Sequence, residues 1–543
     1  MKRIFVLFMF YCFCTSVCAQ IRVDWQQCYG SIEGDDEAYS LVKTKDGCFV
    51  LGYVEKNSGN GMVECDFMGN RHAWLIEIGN EGAFLGQHCF ELGGNKLFAG
   101  EEDHSMYIVG KVGVGESDNS NIGIIKITTE GEVVWQHAFG AEDHDFWDAP
   151  RFARTLDGGF VCSVSICFTG GDIGQYFGFW DDWVVKLDSL GNIEWETTIG
   201  TEEGEFSGNM IANPDGTYFA LITGSPGENG VIPSCYKPIN ISDAVVVRLA
   251  DDGTILDSRC YGGSDNDAFS TVIALDDGFL FVGCADSNDG DLEGAGHHTG
   301  YNHVGSPTSD AWLLKTDHDG NVLWSRCYGG KEEDAGCIVF QNDDGGFTVF
   351  GVTESYDGDV QSGLNLVYAY NYPYGQKIWV FRTDANGNLL WERAIGNKGG
   401  VQYLGDVIQE SDTEYIIAAT SPAGYNPLYM GDYNCSNYNL CSGDSYWILH
   451  ITDVFDYDDV KEFLPQENDI SVCPNPARDI ITVSGQRLLQ VWLYDMFGQQ
   501  VAMALSYNSE NAMLDTNGLS AGFYLARVVT ENGVVVKRVA VDK

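Results

Sequence analysis

Apolar residues in this chain come in short runs, and each run ends at a turn signal. One stretch shows the order most clearly. AGCIVFQ (335–341) meets an Asp-Asp-Gly-Gly turn at 343–346, and FTVFGVT (347–353) follows. A long loop leads to IWVFRTD (378–384), and an Asn-Gly turn at 386–387 opens NLLWERAI (388–395). Runs of five to eight residues rich in Val, Ile, Phe and Trp, joined by Asp-Gly or Asn-Gly, predict β-strands linked by hairpin turns. Several are apolar almost throughout, the pattern of strands covered on both faces.

The four-run unit repeats. A Trp-x-x-x-aromatic-Gly segment stands at residues 25, 135, 195, 324 and 391, with degenerate copies at 86 and 257, so successive starts lie 49 to 67 residues apart. Four-stranded units repeated this way close radially as a β-propeller, which leaves only short protected edges. Third-strand runs number seven: AWLIEI (73), IGIIKI (122), DWVVKL (182), DAVVVRL (243), AWLLKT (311), IWVFRT (378) and YWILHI (446). No fourth strand follows the last, whereas VDWQQCY (23–29) precedes any first strand. Residues 23–29 are therefore expected to complete the last blade. A linear solenoid would leave both ends uncapped, and a membrane barrel needs strands of about 9–11 residues with one lipid-facing side.

The ends of the chain differ from its middle. Residues 1–19 combine basic Lys2 and Arg3, an apolar stretch from Ile4 to Cys14 and the small-residue site Val17-Cys18-Ala19, the pattern of a signal peptide cleaved between Ala19 and Gln20. No later run of 18 apolar residues offers a membrane span. From residue 472 the chain reads as six or seven short strands broken by Gly, Asn and Asp, which suggests a small Ig-like β-sandwich. The stretch carries Pro474-Asn475-Pro476, Tyr494-Asp495 with Gly498, Leu519, Gly522-Phe523-Tyr524, and a basic ending with Lys537 and Lys543. On these residues it resembles the C-terminal sorting domain of the type IX secretion system of Bacteroidetes. The resemblance implies Sec export, passage across the outer membrane and removal of the domain by a sortase-like protease. The product would be released or attached to surface lipopolysaccharide. The repeats are similar to those of secreted Bacteroidetes proteins with the same tail, which implies an address and no defined activity. The expected organisation is thus all-β: signal peptide 1–19, seven-bladed propeller 20–452, acidic linker 453–471 and sorting domain 472–543.

Charge narrows the partners. With 79 acids against 30 bases the net charge is −49, which excludes phosphate neutralisation and disfavours an anionic membrane surface. Gly at 66 of 543 residues fits many tight turns. Fourteen of the 17 Cys lie after residue 19, too sparse for a disulfide framework, and only Cys435 and Cys441 look like a local pair.

Features present in most blades serve the blade, and features confined to one blade are free to serve a ligand. By that rule the fourth-strand Trp and the Asp-Gly turns are structural. An acid recurs after the aromatic-Gly: Glu37, Asp145, Glu205, Asp267 and Asp334, with Lys96 and Val401 breaking the series. Two readings stand: each carboxylate caps its own turn, or together they ring the channel mouth and hold cations or a basic ligand. In either case repulsion would raise their pKa values. Gly-Asp-aliphatic recurs at 171–173, 290–292 and 358–360, the last two inside DSNDGD and SYDGDV. Asp286, Asp289, Asp291, Asp357 and Asp359 there are plain turn residues or weak Ca²⁺ ligands. His297, His298 and His303 share one loop as surface residues or a Zn²⁺ site. Two loops on adjacent blades carry Tyr368, Tyr370, Tyr372, Tyr374, Tyr425, Tyr429, Tyr433 and Tyr438, a composition suited to a binding surface.

No H-E-x-x-H, phosphate-loop or dinucleotide pattern occurs. The leading expectation is an exported binding propeller for carbohydrate or protein, with no cofactor required and Ca²⁺ as an option. A hydrolase or lyase using rim carboxylates is the alternative, and a purely structural surface component the third.

Overall fold

The first strand of the chain pairs with the last strand of the repeat region. Gln20–Tyr29 runs antiparallel to Ser445–Val454, with Gln20 opposite Val454 and Tyr29 opposite Tyr446. The expected exchange between the chain ends is therefore made, and it starts at the residue after the expected cleavage site. The computed structural model describes residues 20–30, 36–54, 62–64, 72–100, 104–113, 120–141, 146, 149–224, 232, 242–301, 305–360, 376–396, 403–421, 445–454, 471–474, 477–494, 500–530 and 533–542. The signal segment, the linker core and both tyrosine-rich loops lie outside them.

Seven four-stranded antiparallel sheets follow one another. Blade one is Asp36–Lys43, Gly47–Val54, His72–Gly79 and Phe84–Phe90; blade two is Gly93–Ala99, Ser105–Gly113, Ser120–Thr128 and Val133–Phe139. Blade three is Arg151–Arg154, Phe160–Ile166, Asp181–Leu187 and Ile193–Ile199; blade four is Glu205–Ala212, Tyr218–Gly224, Asp243–Leu249 and Ile255–Tyr261. Blade five is Asp267–Leu275, Gly278–Ala285, Asp310–Thr316 and Val322–Tyr328; blade six is Asp334–Gln341, Phe347–Thr353, Lys377–Thr383 and Leu389–Ile395. Blade seven is Tyr403–Ser411, Glu414–Ser421 and Ser445–Val454, completed by Gln20–Tyr29. Blade seven meets blade one directly. Asp406 accepts hydrogen bonds from Ser40 Oγ (3.0 Å) and the Leu41 N–H (3.1 Å) of blade one, and from Lys96 Nζ (3.0 Å) of blade two.

The repeated motif is explained by what each of its positions touches. The fourth-strand Trp covers the glycine of the next blade's third-to-fourth-strand turn. A Cβ on Gly253 would lie 2.7 Å from Trp195, and one on Gly387 3.0 Å from Trp324. Those glycines have φ of +80° and +75°, which L side chains rarely adopt. The aromatic residue ending the motif donates its hydroxyl to the same turn: Tyr261 to the Gly320 carbonyl (2.8 Å), Tyr328 to Gly387 and Tyr29 to Gly82. The residue after the Trp, or its equivalent, accepts from the indole N–H of the third-strand Trp. The pairs are Trp74–Gln87 (2.8 Å), Trp183–Glu196 (2.9 Å), Trp312–Ser325 (2.9 Å), Trp379–Glu392 (3.1 Å) and Trp447–Gln26 (3.0 Å). Each indole is thus buried with its one donor satisfied.

The Asp-Gly turns do more than reverse the chain. Asp215, Asp277 and Asp344 pair with third-strand Arg248 (2.8 Å), Lys315 (2.8 Å) and Arg382 (2.9 Å), and Asp157 pairs with Lys186. Such half-exposed pairs contribute about 0–1 kcal/mol each.

Contacts divide the chain into Met1–Val454 and Phe455–Lys543. The second unit is one five-stranded antiparallel sheet: Ser471–Cys473, Ile480–Tyr494, Gln500–Asp515, Gly522–Thr530 and Gly533–Val541. Fewer, longer strands stand where six or seven short ones were expected. Ile480–Tyr494 and Gln500–Asp515 run through the expected breaks by shifting register between Ser484 and Leu488. Ile481, Val483, Val491, Leu493, Leu514 and Val528 form its core. Among the described residues no helix is long and apolar enough to cross a membrane.

Candidate functional site

The connections from each fourth strand to the next first strand share one face with the loops between second and third strands. That face holds the acids expected to matter. Glu205, Asp267 and Asp334 each begin a first strand, and the strand pairing puts Asp36, not Glu37, in the same place. The bulge two residues after Asp36, Asp267 and Asp334 sets this register. Glu37 instead accepts the hydroxyls of Tyr39 (2.5 Å) and Tyr53 (2.9 Å). Lys96 follows a bulge and matches Ser40 and Asp406 rather than the acids. Asp145 is outside the described residues.

These acids do not form an open ring. Glu205 is 0% exposed, and Asp267 and Asp334 are 1% exposed. Each bonds its own turn: Glu205 accepts from the Thr201 N–H (2.8 Å) and hydroxyl (2.6 Å), Asp267 from the Gly263 N–H (2.8 Å), and Asp334 from the Gly330 N–H (2.7 Å). Of the two readings left open, turn capping is the one whose bonds are made.

A second acid series escaped the sequence reading. Asp181, Asp243 and Asp310 begin third strands of blades three to five and are also buried. They face the first-strand acids of the next blade across the motif glycine. A Cβ on Gly329 would lie 2.6 Å from Asp334 Oδ2 and 2.7 Å from Asp310 Oδ1; on Gly262, 2.7 Å from Asp267 Oδ2 and 3.1 Å from Asp243 Oδ1. Burial first, and the partner acid's charge after it, push Glu205 and Asp334 up to about 7 and Asp267 to about 6. The signal was present, since an Asp precedes three of the apolar third-strand runs.

The Gly-Asp-aliphatic segments clamp the same junctions. Asp172, Asp291 and Asp359 donate their N–H groups to the carbonyls of Gly140 (2.8 Å), Gly262 (2.9 Å) and Gly329 (2.7 Å), all glycines ending the preceding blade. Their carboxylates accept back from the N–H groups of Gly140 (2.9 Å), Gly262 (3.2 Å) and Gly329 (3.4 Å). Asp289 accepts from the Ser264 N–H (2.6 Å), Asp357 from the Lys331 N–H (2.9 Å), and Asp286 from the Ser309 hydroxyl (2.6 Å). Ser287 and Ser355 donate to Asp267 and Asp334, both at 2.7 Å. All five carboxylates weighed as Ca²⁺ ligands are engaged as backbone or hydroxyl acceptors. His298 bonds Asp310 through Nδ1 (3.0 Å), which raises its pKa, and His297 Nε2 lies 3.1 Å from the Ala285 carbonyl oxygen. His303 is outside the described residues. Among the described residues no group of three His, Cys, Asp or Glu is placed to hold a metal.

Thiols behave differently from the expectation as well. Cys89 and Cys260, at matching fourth-strand positions of blades one and four, are each engaged in a separate disulfide. Cys435 and Cys441 are outside the described residues.

Among the described residues, the second-to-third-strand loop of blade three and the first strand of blade four together carry an exposed aromatic cluster on this face. The loop's sequence, YFGFW at 176–180, was not singled out because it lacks tyrosine repetition. Phe179 is 73% exposed, Phe206 47% and Phe177 41%, and Trp180 stacks on Phe206 at 6.3 Å between centroids. The loop beneath them is pinned. Phe177 N–H donates to Asp181 (2.5 Å), Phe179 N–H to the Glu203 carbonyl (3.1 Å), Glu205 N–H to the Trp180 carbonyl (2.9 Å), and Thr198 hydroxyl to the Gln175 carbonyl (2.9 Å).

Among solved structures, puromycin hydrolase is similar at 11% identity and a TM-score of 0.41, over 83% of this chain and 58% of that one. This chain thus spans less than two thirds of the hydrolase. The WD40 domain of Pan2 from Neurospora crassa is similar at 8% identity and a TM-score of 0.40, covering 79% of this chain and 95% of that one. A DUF4221-family protein from Bacteroides vulgatus is similar at 7% identity and a TM-score of 0.32, over 80% and 99%. No curated protein matches the chain. Residues 471–542 match the secretion system C-terminal sorting domain, a stretch that includes Pro474, Gly522, Tyr524 and Lys537. The C-terminal unit thus carries a type IX secretion sorting domain, which marks the protein for export to the outer membrane, the cell surface or the extracellular space.

Proposed function

We propose that the protein is an exported binding propeller that recognises carbohydrate or protein through the face bearing its second-to-third-strand loops. The observation that carries this reading is the exposed aromatic cluster of blade three, held on a loop whose backbone is bonded to the next blade. Rigid exposed aromatics supply contact area at low ordering cost. The tyrosine-rich segments Tyr368–Tyr374 and Tyr425–Tyr433, outside the described residues, fall in sequence between the second and third strands of blades six and seven and are included in this proposal.

A hydrolase or lyase is less well supported. Glycoside cleavage needs two carboxyl groups about 5–10 Å apart in a cleft reached by substrate and water. Glu205, Asp267 and Asp334 are buried in blade junctions and bonded to turns, and three blades repeat the arrangement. The test is a glycan and protein array probed with residues 20–543, with and without chelator. The reading expects saturable ligands that are lost when Tyr368–Tyr374 and Tyr425–Tyr433 and the exposed aromatics of blade three are all changed to serine. Chelator should leave binding unchanged, because the candidate Ca²⁺ ligands already accept hydrogen bonds. Ligands that survive the serine variant, or turnover of an arrayed glycan, would contradict the reading.

A further inference from the structure

The aromatic cluster of blade three sits over carboxylates that have no cationic partner among the described residues. Asp181, Asp182 and Glu205 lie directly below the loop, are at most 0% exposed, and are bonded only by neutral groups. Asp181 accepts from Phe177 N–H, Asp182 from the hydroxyls of Ser163 (2.6 Å) and Ser207, and Glu205 from Thr201. Among the described residues no lysine, arginine or histidine forms an ion pair with any of the three. Residues 172–206 contain nine acids and one base, Lys186. That lysine is spent elsewhere, on Asp157 and Glu194 (both 2.5 Å). Exposed Glu202 and half-exposed Glu203 add to the field around the rings.

Aromatic faces and uncompensated negative charge together select a cation. The ring quadrupole attracts a guanidinium or ammonium placed over its face, and exposed Glu202 and half-exposed Glu203, joined by the buried acids as these ionise above about pH 7, supply a field of the same sign. An anionic polymer would be repelled, and a neutral glycan would gain nothing from the charge. We propose that Phe177, Phe179, Trp180 and Phe206 form the docking platform for an arginine- or lysine-bearing segment of a partner protein. This rests on the binding reading above and names the partner's chemistry. The segment lays its cationic side chains over the exposed faces of Phe179 and Phe206 while the carboxylate field holds the charge. The platform needs no rearrangement, since its backbone is already fixed to residues 198–205 of the fourth-strand end and the next blade.

The probe is a fluorescent dodecapeptide of alternating Arg and Gly, measured by anisotropy against residues 20–543. The same peptide with citrulline in place of arginine keeps the shape and hydrogen bonds without the charge. The arginine peptide should bind at least tenfold more tightly than the citrulline one. F179A/F206A should weaken it about tenfold, the size expected for losing two exposed cation–π contacts. Both phenylalanines are exposed, so the variant should keep its circular dichroism spectrum and melting temperature. D276N/D319N removes two exposed acids from turns on the opposite face and should change binding less than twofold. The proposal is overturned if F179A/F206A binds within twofold of the natural protein, if D276N/D319N loses as much, or if the citrulline peptide binds equally. Array ligands that persist on F179A/F206A and vanish with the tyrosine substitutions would sink this platform and leave the wider binding reading standing.

Discussion

Glycine closes the repeated motif at Gly262 and Gly329 because the space above the α-carbon belongs to carboxylates. At Gly329 an added methyl would meet Asp334 Oδ2 at 2.6 Å and Asp310 Oδ1 at 2.7 Å. Neither acid can swing away without abandoning its bond to the Gly330 N–H or to His298. Gly329→Ala should therefore destabilise the propeller by about 1–3 kcal/mol, the usual cost of overpacking a filled site. Gly86, in an outer strand with no atom within 4 Å of an added Cβ, is the control, and Gly86→Ala should be neutral or slightly stabilising. Thermal melts of the two variants compare directly, and equal losses would contradict the account. The same residue-level detail limited the sequence reading. The sequence reading put Glu37, seven residues after Gly30, in a series whose other members stand five after their glycine, whereas strand register assigns the position to Asp36, six after, and leaves Glu37 to Tyr39 and Tyr53. A one-residue difference in loop length cannot be seen until the strands pair.

The blade junction is the element on which stability depends most. Three consecutive junctions hold two buried acids each: Asp181 with Glu205, Asp243 with Asp267, and Asp310 with Asp334. Burial raises Glu205 and Asp334 to about 7 and Asp267 to about 6, from 4.5 or 3.8 for the free side chains. Between about pH 4.5 and 7 the folded state thus binds more protons than the unfolded one, so stability falls as pH rises through that window. The unfolding midpoint should be higher at pH 5 than at pH 8, and Asp334→Asn should flatten the dependence. A higher midpoint at pH 8 would contradict it. Asp157, held down at about 2 by Lys186, Thr155 and the Gly159 N–H despite its burial, loses its contribution only below pH 4 and does not disturb the comparison. The strands, turns and blade order of this element were legible, because hydrophobic run length and Asp-Gly turns encode them locally. The S-x-D-G-D clamps were visible as a pattern with an open meaning. Their partners are the N–H groups of another blade, a non-local fact. The aromatic platform was not legible because Phe206 joins residues 176–180 only when the two segments pair at Trp180 and Gly204.

At the scale of the whole molecule, charge is divided unevenly. Residues 471–543 hold six acids and six bases, which leaves 73 acids against 22 bases in residues 20–470. The sorting unit is neutral and has its own core, so removing it should not disturb the ring. A chain ending at Val454 should melt at the same temperature as the full chain and fail to reach the cell exterior. Fractionation of cells expressing both forms checks the second point. Every statement about a shared loop face depends on the ring being closed by Gln20–Tyr29 against Ser445–Val454. The most direct test deletes residues 20–29 and supplies them again as a synthetic peptide. The account predicts that the deletion lowers and broadens the thermal transition, and that added peptide binds and restores it. An unchanged transition without the strand, or a damaged one that the peptide does not repair, would contradict closure.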